Sequence, residues 1–373
     1  MSLRPRGGTV AGPLLEGGVP WLVARVLVIT SVVLARYLVT HLHPGDQAAA
    51  VRAHEGLLGW DAGFYRDIAA HGYGSLPRAA LRFFPLLPLM ARGVHDVTRL
   101  SYDASLIGVA NACALAASVL LVTLTREELG DGQAGRRAAW LLSLAPAGFI
   151  FVMGYAEPLF VLLSVTVFLG MRRQRWWLVA LAGFLAGTSR PVGVLLVVPV
   201  AVEALGLLRR GRLGAGPVVA AVAPAAGAAA YLAWAGATFG DYLRPLRLQT
   251  SANLHGHLAN PFTTVWDALR GAGHGHVGTA LHVPWLVLFV LLTVVALRRL
   301  PLSYGLFALA VLVVAAGASN LDSLERYCAS AVPLVMAAAD VTAPPLLDRT
   351  VTAALGAAVT TYGLLAFLNA YVP

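Results

Sequence analysis

Apolar runs long enough to cross a membrane recur along almost the whole of this sequence, which excludes a fold whose surface faces water. The first is Trp21 to Val39, with Arg25 and Arg36 near its ends. Ten more follow at roughly 103–125, 138–153, 158–171, 176–190, 192–208, 217–237, 283–297, 301–318, 329–347 and 350–370. Several fall short of the ~20 residues that a hydrocarbon core requires, so their limits are soft. Hydrophobic residues make up 58% of the 373, charged residues only 12%, and the mean hydropathy is +0.74. The first run is longer than the core of a cleaved signal peptide and reads as a retained span. An all-α polytopic membrane protein is expected, with about eleven transmembrane helices and residues 1–373 as a single membrane domain.

The net charge of +9 does not point to nucleic acid, because it is spread between the apolar runs rather than clustered on a soluble face. Its positive part is all Arg, since the chain has no Lys. Eleven spans would put Arg126, Arg136, Arg137, Arg172, Arg173, Arg175, Arg209, Arg210, Arg212, Arg298, Arg299 and Arg349 on the side of Arg4 and Arg6. By the positive-inside rule that side is the cytoplasm. The long connections 43–102 and 238–282 then face outward, as do the short turns at Tyr155–Glu157 and Leu321–Tyr327.

The first outer loop, 43–102, holds the sequence Gly59-Trp60-Asp61-Ala62-Gly63-Phe64-Tyr65. Its spacing predicts a short amphipathic helix with Trp60, Phe64 and Ile68 on one face and Gly72 as its stop. Asp61 would lie in the first turn, where the helix dipole favours a carboxylate. Further on, Arg82 to Met90 is apolar, too short to cross and broken by Pro85 and Pro88, so it suits a segment lining a cavity.

There is no glycine-rich phosphate loop and no Asp-x-Asp pair for a nucleotide-bound metal. The cytoplasmic connections are too short for a nucleotide-binding fold. Polar residues gather instead on the outer side, among them Asp61, His71, Arg82, Glu157, Arg190, His255, His257 and Arg326. A carboxylate with several Arg above an apolar bundle suits chemistry on a lipid with an anionic head group. The carboxylate takes a proton from an acceptor while Arg pairs with a phosphate leaving group. Nucleotide sugars are not found outside the cell membrane, so a glycosyl donor there would be lipid-linked. Neither Cys113 and Cys328 nor His255, His257, His274 and His276 have the partners at ligand spacing that a metal site needs, and no metal or cofactor is expected.

In order along the chain, Trp60-Asp61-Ala62 with Phe64-Tyr65, His71-Gly72-Tyr73, Phe83-Phe84-Pro85-x-x-Pro88, Gly154-Tyr155-Ala156-Glu157, Ser189-Arg190-Pro191 and Arg326-Tyr327 resemble the GPI mannosyltransferase II (PIG-V-like) family and its bacterial relatives. The resemblance implies a GT-C glycosyltransferase fold, a polyprenyl-phosphate-mannose donor, inversion at the anomeric carbon, and Asp61 as catalytic base. Gly59 stands where the family often has an Arg before Trp-Asp, and Ala156 replaces a hydroxyl residue before Glu157.

The expected site therefore has Asp61 and Glu157 as catalytic carboxylates. Arg326, Arg190, Arg82 and His71 would be ligands of the donor phosphate. Trp60, Tyr65, Tyr155, Tyr327, His255 and His257 would contact substrate. Its partners would be the lipid donor, a glycolipid or lipid-linked glycan acceptor, and membrane lipids. Two other classes compete: a different polyprenyl-phosphate-sugar transferase (arabinosyl, glucosyl or protein O-mannosyl), and a transporter or flippase for a lipid-linked sugar. The transporter calls for repeated halves and midplane charges, and neither is evident in the sequence.

Overall fold

The computed structural model describes residues 11–42, 45–250, 259–273, 278–318 and 321–371. Among them the protein is helical throughout, with no strand. The first long helix, α1, is Ala11–His41. The first long connection then folds into α2 (Gln47–Glu55), α3 (Asp61–His71) and α4 (Leu86–Thr98). Next come α5 (Tyr102–Leu129), α6 (Ala134–Ser143), α7 (Glu157–Arg172), α8 (Trp176–Ser189), α9 (Val197–Arg209) and α10 (Ala215–Phe239). The second connection carries α11 (Arg244–Arg247) and α12 (Pro261–Gly273). The chain continues with α13 (Val283–Arg299), α14 (Leu302–Ala316), α15 (Leu324–Ala329), α16 (Val332–Val341) and α17 (Pro345–Phe367).

Among the described residues, six helical stretches are long and apolar enough to cross a membrane: α1, α5, Pro191–Arg209, α10, Ala280–Arg299 and α17. Shorter apolar helices, α8, α14 and α16, lie among them. The sequence divides the chain differently at two places. The run 138–153 is not one helix: α6 stops at Ser143, and a 3-10 turn at Gly148–Phe151 follows. Pro146 can donate no hydrogen bond to the preceding turn, so the helix ends there. The carbonyls at the end of that turn, short of α7, are met from neighbouring helices. Arg25 Nη2 donates to the Phe151 carbonyl at 2.8 Å, and Asn111 Nδ2 to that of Val152 at 2.9 Å. Likewise the run 329–347 is not one helix: α16 takes ten of its residues, the Pro344–Pro345 pair keeps α16 from continuing, and α17 begins at Pro345.

α7 lies at the centre. Almost every residue along it is buried, which explains why the sequence has no polar face there. α8 and α10 approach closely because both are small at the contact. A Cβ at Gly187 would meet the Pro224 carbonyl at 2.0 Å, and one at Gly227 would meet that of Phe184 at 2.0 Å. Such small-residue contacts substitute for a hydrophobic driving force between helices in lipid.

The two ends of the helices differ in charge chemistry. At one end, Arg126 pairs with Glu16, Arg136 with Asp348 at 2.8 Å, and Arg299 with Asp340 at 2.7 Å. These pairs tie the ends of α5, α13 and α16 and the starts of α1, α6 and α17. The opposite end brings together the starts of α3 and α7, the end of α8, and α15.

Candidate functional site

The amphipathic α3 forms where the spacing places it, with Asp61 as its first residue and Gly72, at φ +71°, as its stop. The buried face differs from the expected one. Ala62, Tyr65, Ile68 and Ala69 are buried, whereas Phe64 is exposed and stacks on Phe83 with ring centroids 4.7 Å apart. α3 packs on α4 and α5 rather than presenting its aromatic edge inward. Trp60, just before it, has φ +58°, a left-handed conformation that is costly for a bulky residue. Two contacts hold it there. Its indole N–H donates to the Ala366 carbonyl at 3.2 Å, and the Arg52 guanidinium lies 4.1 Å from its ring centroid.

Asp61, with a side chain 17% exposed, accepts from Arg82 Nη2 on Oδ1 at 2.9 Å and from Arg326 Nη1 on Oδ2 at 2.7 Å. Its backbone N–H donates to the Tyr155 hydroxyl at 3.3 Å. Glu157, the buried first residue of α7, lies 2.8 Å from Arg190 Nη1 and 3.2 Å from Arg326 Nε. Arg190 is placed by Pro191, which ends α8 and forces the preceding residue into extended backbone at φ −159°. Arg326 thus bridges two carboxylates. Tyr155 and Tyr327 stand beside it, with centroids 5.7 and 5.8 Å from its guanidinium carbon, and Arg190 also faces Tyr327 at 5.2 Å.

Three guanidiniums therefore face two carboxylates. Both Arg–Glu157 contacts are ion pairs without an aligned hydrogen bond, and buried Arg82 Nη1 has no hydrogen-bond partner among the described residues. Burial opposes the charge on Arg326, but Glu157 and Asp61 outweigh it and hold its pKa above the usual range. Burial, reinforced by Glu157 at Tyr65 and by Asp61 at Tyr155, pushes both phenols up, so they stay neutral hydrogen-bond donors. A cluster with surplus positive charge and unspent N–H donors is suited to an anion such as phosphate.

Most of the expected site residues converge here: Asp61, Arg82, Glu157, Arg190, Arg326, Tyr155 and Tyr327, with Tyr65 edge-on to Phe83 nearby at 5.1 Å. His71 does not. It ends α3, exposed, about 15 Å along the helix from Asp61 at 1.5 Å per residue. Trp60 packs against Arg52 and α17 instead of opening to the cluster. His255 and His257 lie outside the described residues.

Sequence reasoning missed a second polar cluster one residue from Arg326. Buried Glu325 takes His282 Nδ1 at 2.7 Å, and His282 Nε2 lies 3.8 Å from Asp322 Oδ1. Burial is the main cause that raises the Asp322 pKa.

Residues 45–207 match the family model for mannosyltransferase (PIG-V). This match supports reading the chain as a PIG-V-like mannosyltransferase family member. With the apolar helices, it supports a membrane mannosyltransferase. The matched span contains Asp61, Arg82, Glu157 and Arg190, while Arg326 reaches the same cluster from outside it. No curated protein matches the chain.

Proposed function

We propose that this PIG-V-like protein has a GT-C architecture with about eleven membrane crossings and transfers mannose from a polyprenyl-phosphate-mannose donor to a glycolipid or lipid-linked glycan. The reaction would take place on the extracytoplasmic side. The observation that carries this reading is the position of Asp61 between Arg82 and Arg326, in a cluster with one more guanidinium than carboxylates.

In the proposed step an acceptor hydroxyl oxygen attacks the anomeric carbon of the mannosyl phosphate, and its proton passes to Asp61. The bond from that carbon to the phosphate oxygen breaks, and its electron pair stays on the phosphate. Arg326 and Arg190 receive the resulting anion. A carboxylate offers about four lone-pair sites, so Asp61 can accept the hydroxyl while it still touches Arg326. Attack from the Asp61 face with departure on the Arg326–Arg190 face gives inversion. An apolar cavity of about 270 Å³ supports a lipid donor. It starts at Cys328 and Ala329, within a turn of Arg326, and continues between α13 and α16.

The test is to supply the purified protein in lipid with either polyprenyl-phosphate-mannose or GDP-mannose, each with and without EDTA. The reading expects turnover with the lipid donor that EDTA leaves intact, because Arg alone can hold a monophosphate. Turnover with GDP-mannose alone, or activity that a divalent ion must restore, contradicts it.

A further inference from the structure

We propose that the pocket between α3, α4 and α10, walled by Tyr73, Tyr231 and Trp234, binds the apolar part of the acceptor glycolipid. This inference rests on the proposed mannosyl transfer and assigns the second substrate of the same site. The pocket measures about 440 Å³ and is also lined by Ile68, Arg92 and Ala230. Its aromatic wall is continuous. Tyr231 stacks on Trp234 at 5.7 Å, and Tyr73 lies 5.1 Å from Trp234. At the rim, Leu89 is 61% and Trp234 41% exposed, so the opening faces the apolar surface of the bundle, where a lipid chain can enter sideways.

Two of these aromatic side chains also hold the backbone segment that carries Arg82. Three consecutive carbonyls, those of Leu81, Arg82 and Phe83, are each held by a side chain distant in sequence. Tyr231 donates to Leu81 at 2.8 Å, Gln249 to Arg82 at 2.6 Å, and Tyr73 to Phe83 at 2.6 Å. Arg82, in the middle of this clasp, is the residue on Asp61 Oδ1. Two of the three clasping side chains are therefore walls of the pocket, and a ligand there touches the groups that set the position of Arg82.

In-line geometry decides which substrate takes this side. The attacking hydroxyl and the leaving phosphate lie on opposite sides of the anomeric carbon. Oδ2 of Asp61 meets Arg326, from which the cavity beginning at Cys328 leads away, and Oδ1 meets Arg82, whose backbone segment the aromatic clasp holds. The phosphate-bearing donor takes the first side, which leaves the pocket to the acceptor. Ile68 lies seven residues beyond Asp61 on α3, about 10 Å along the axis at 1.5 Å per residue. The acceptor would therefore place its apolar part in the pocket and extend a sugar head group of that reach to Asp61.

Photolabelling tests this without requiring turnover. The probe is an octyl α-mannoside with a diazirine on its alkyl chain, mixed with the full-length protein in lipid. Labelling is expected on peptides from α4 or α10, competed by plain octyl α-mannoside. It should be lost in Ala230→Trp, which fills the pocket from an exposed helix position. In transfer assays with octyl α-mannoside, Ala230→Trp should raise the acceptor KM about tenfold or more and leave the donor KM within about twofold. Labelling confined to α13 or α16, labelling unchanged by Ala230→Trp, or a rise in donor KM in place of acceptor KM overturns the assignment. Those results leave the chemistry at Asp61 standing. An active Asp61→Asn variant overturns the chemistry while the labelling still locates the pocket.

Discussion

Oδ2 of Asp61 accepts a hydrogen bond from Nη1 of Arg326 at 2.7 Å, although the two residues lie 265 positions apart in the chain. Arg326 also lies 3.2 Å from Glu157, so one guanidinium draws together the starts of α3 and α7. The six-residue α15 that carries it is too short to be stable alone. Its position depends on these ion pairs and on Glu325, which points the other way to His282.

Arg326→Ala should therefore both destabilise and inactivate. It leaves buried Glu157 with only Arg190, and breaking a buried pair costs about 3–5 kcal/mol. Thermal unfolding in detergent should move to clearly lower temperature. Arg326→Lys keeps the charge but not the planar fork that serves two carboxylates. It should unfold nearer the native temperature while donor KM rises. A native donor KM in Arg326→Lys would mean that Arg326 does not hold the phosphate.

The spacing of apolar residues made the helical class legible, the ordered short motifs pointed to Asp61, Glu157, Arg190 and Arg326, and Arg82 came from the polar residues gathered in the first loop. What the sequence hid is where long-range contacts overrule local pattern. The run 138–153 looks like a span because its residues are apolar, yet Pro146 breaks it, and Arg25 and Asn111 meet the carbonyls of Phe151 and Val152 where the following turn ends. Tyr65 and Phe64 are neighbours with opposite fates, decided by packing on α4 and α5 that no periodicity in α3 encodes. His282 and Glu325 sit 43 positions apart, and neither belongs to a motif that marks the pair.

Orientation is tested by single cysteines on exposed residues at the two ends of the helices. In a background without Cys113 and Cys328, an impermeant thiol reagent applied to intact cells should label Ser75→Cys and Tyr242→Cys. It should spare Gln133→Cys and Gln174→Cys. Labelling of the second pair alone would place the Asp61 cluster on the cytoplasmic side.

Asp322 gives a pH signature. Burial, with Glu325 adding to it and His282 opposing, raises its carboxyl above the usual range. The folded state thus binds this proton more tightly than the unfolded state. The contribution is favourable at low pH and is lost as pH rises from the usual carboxylate range through the raised value. Asp322→Asn should flatten that part of the stability–pH curve and raise stability at neutral pH. A curve that keeps its slope in Asp322→Asn assigns the titration to another group.

The most direct measurement is the turnover of Asp61→Asn with polyprenyl-phosphate-mannose, compared with Glu157→Gln under the same conditions. The amide keeps the shape of Asp61 and can still accept from one of the two guanidiniums, but it cannot take a proton. With donor binding retained, kcat should fall by about 10²- to 10⁴-fold, the range that positioned general bases supply. Glu157 touches only Arg190 and Arg326 among the cluster's charged groups, so Glu157→Gln should weaken stability and donor binding more than kcat. Near-native kcat in Asp61→Asn together with a dead Glu157→Gln would contradict the account and move the base to Glu157.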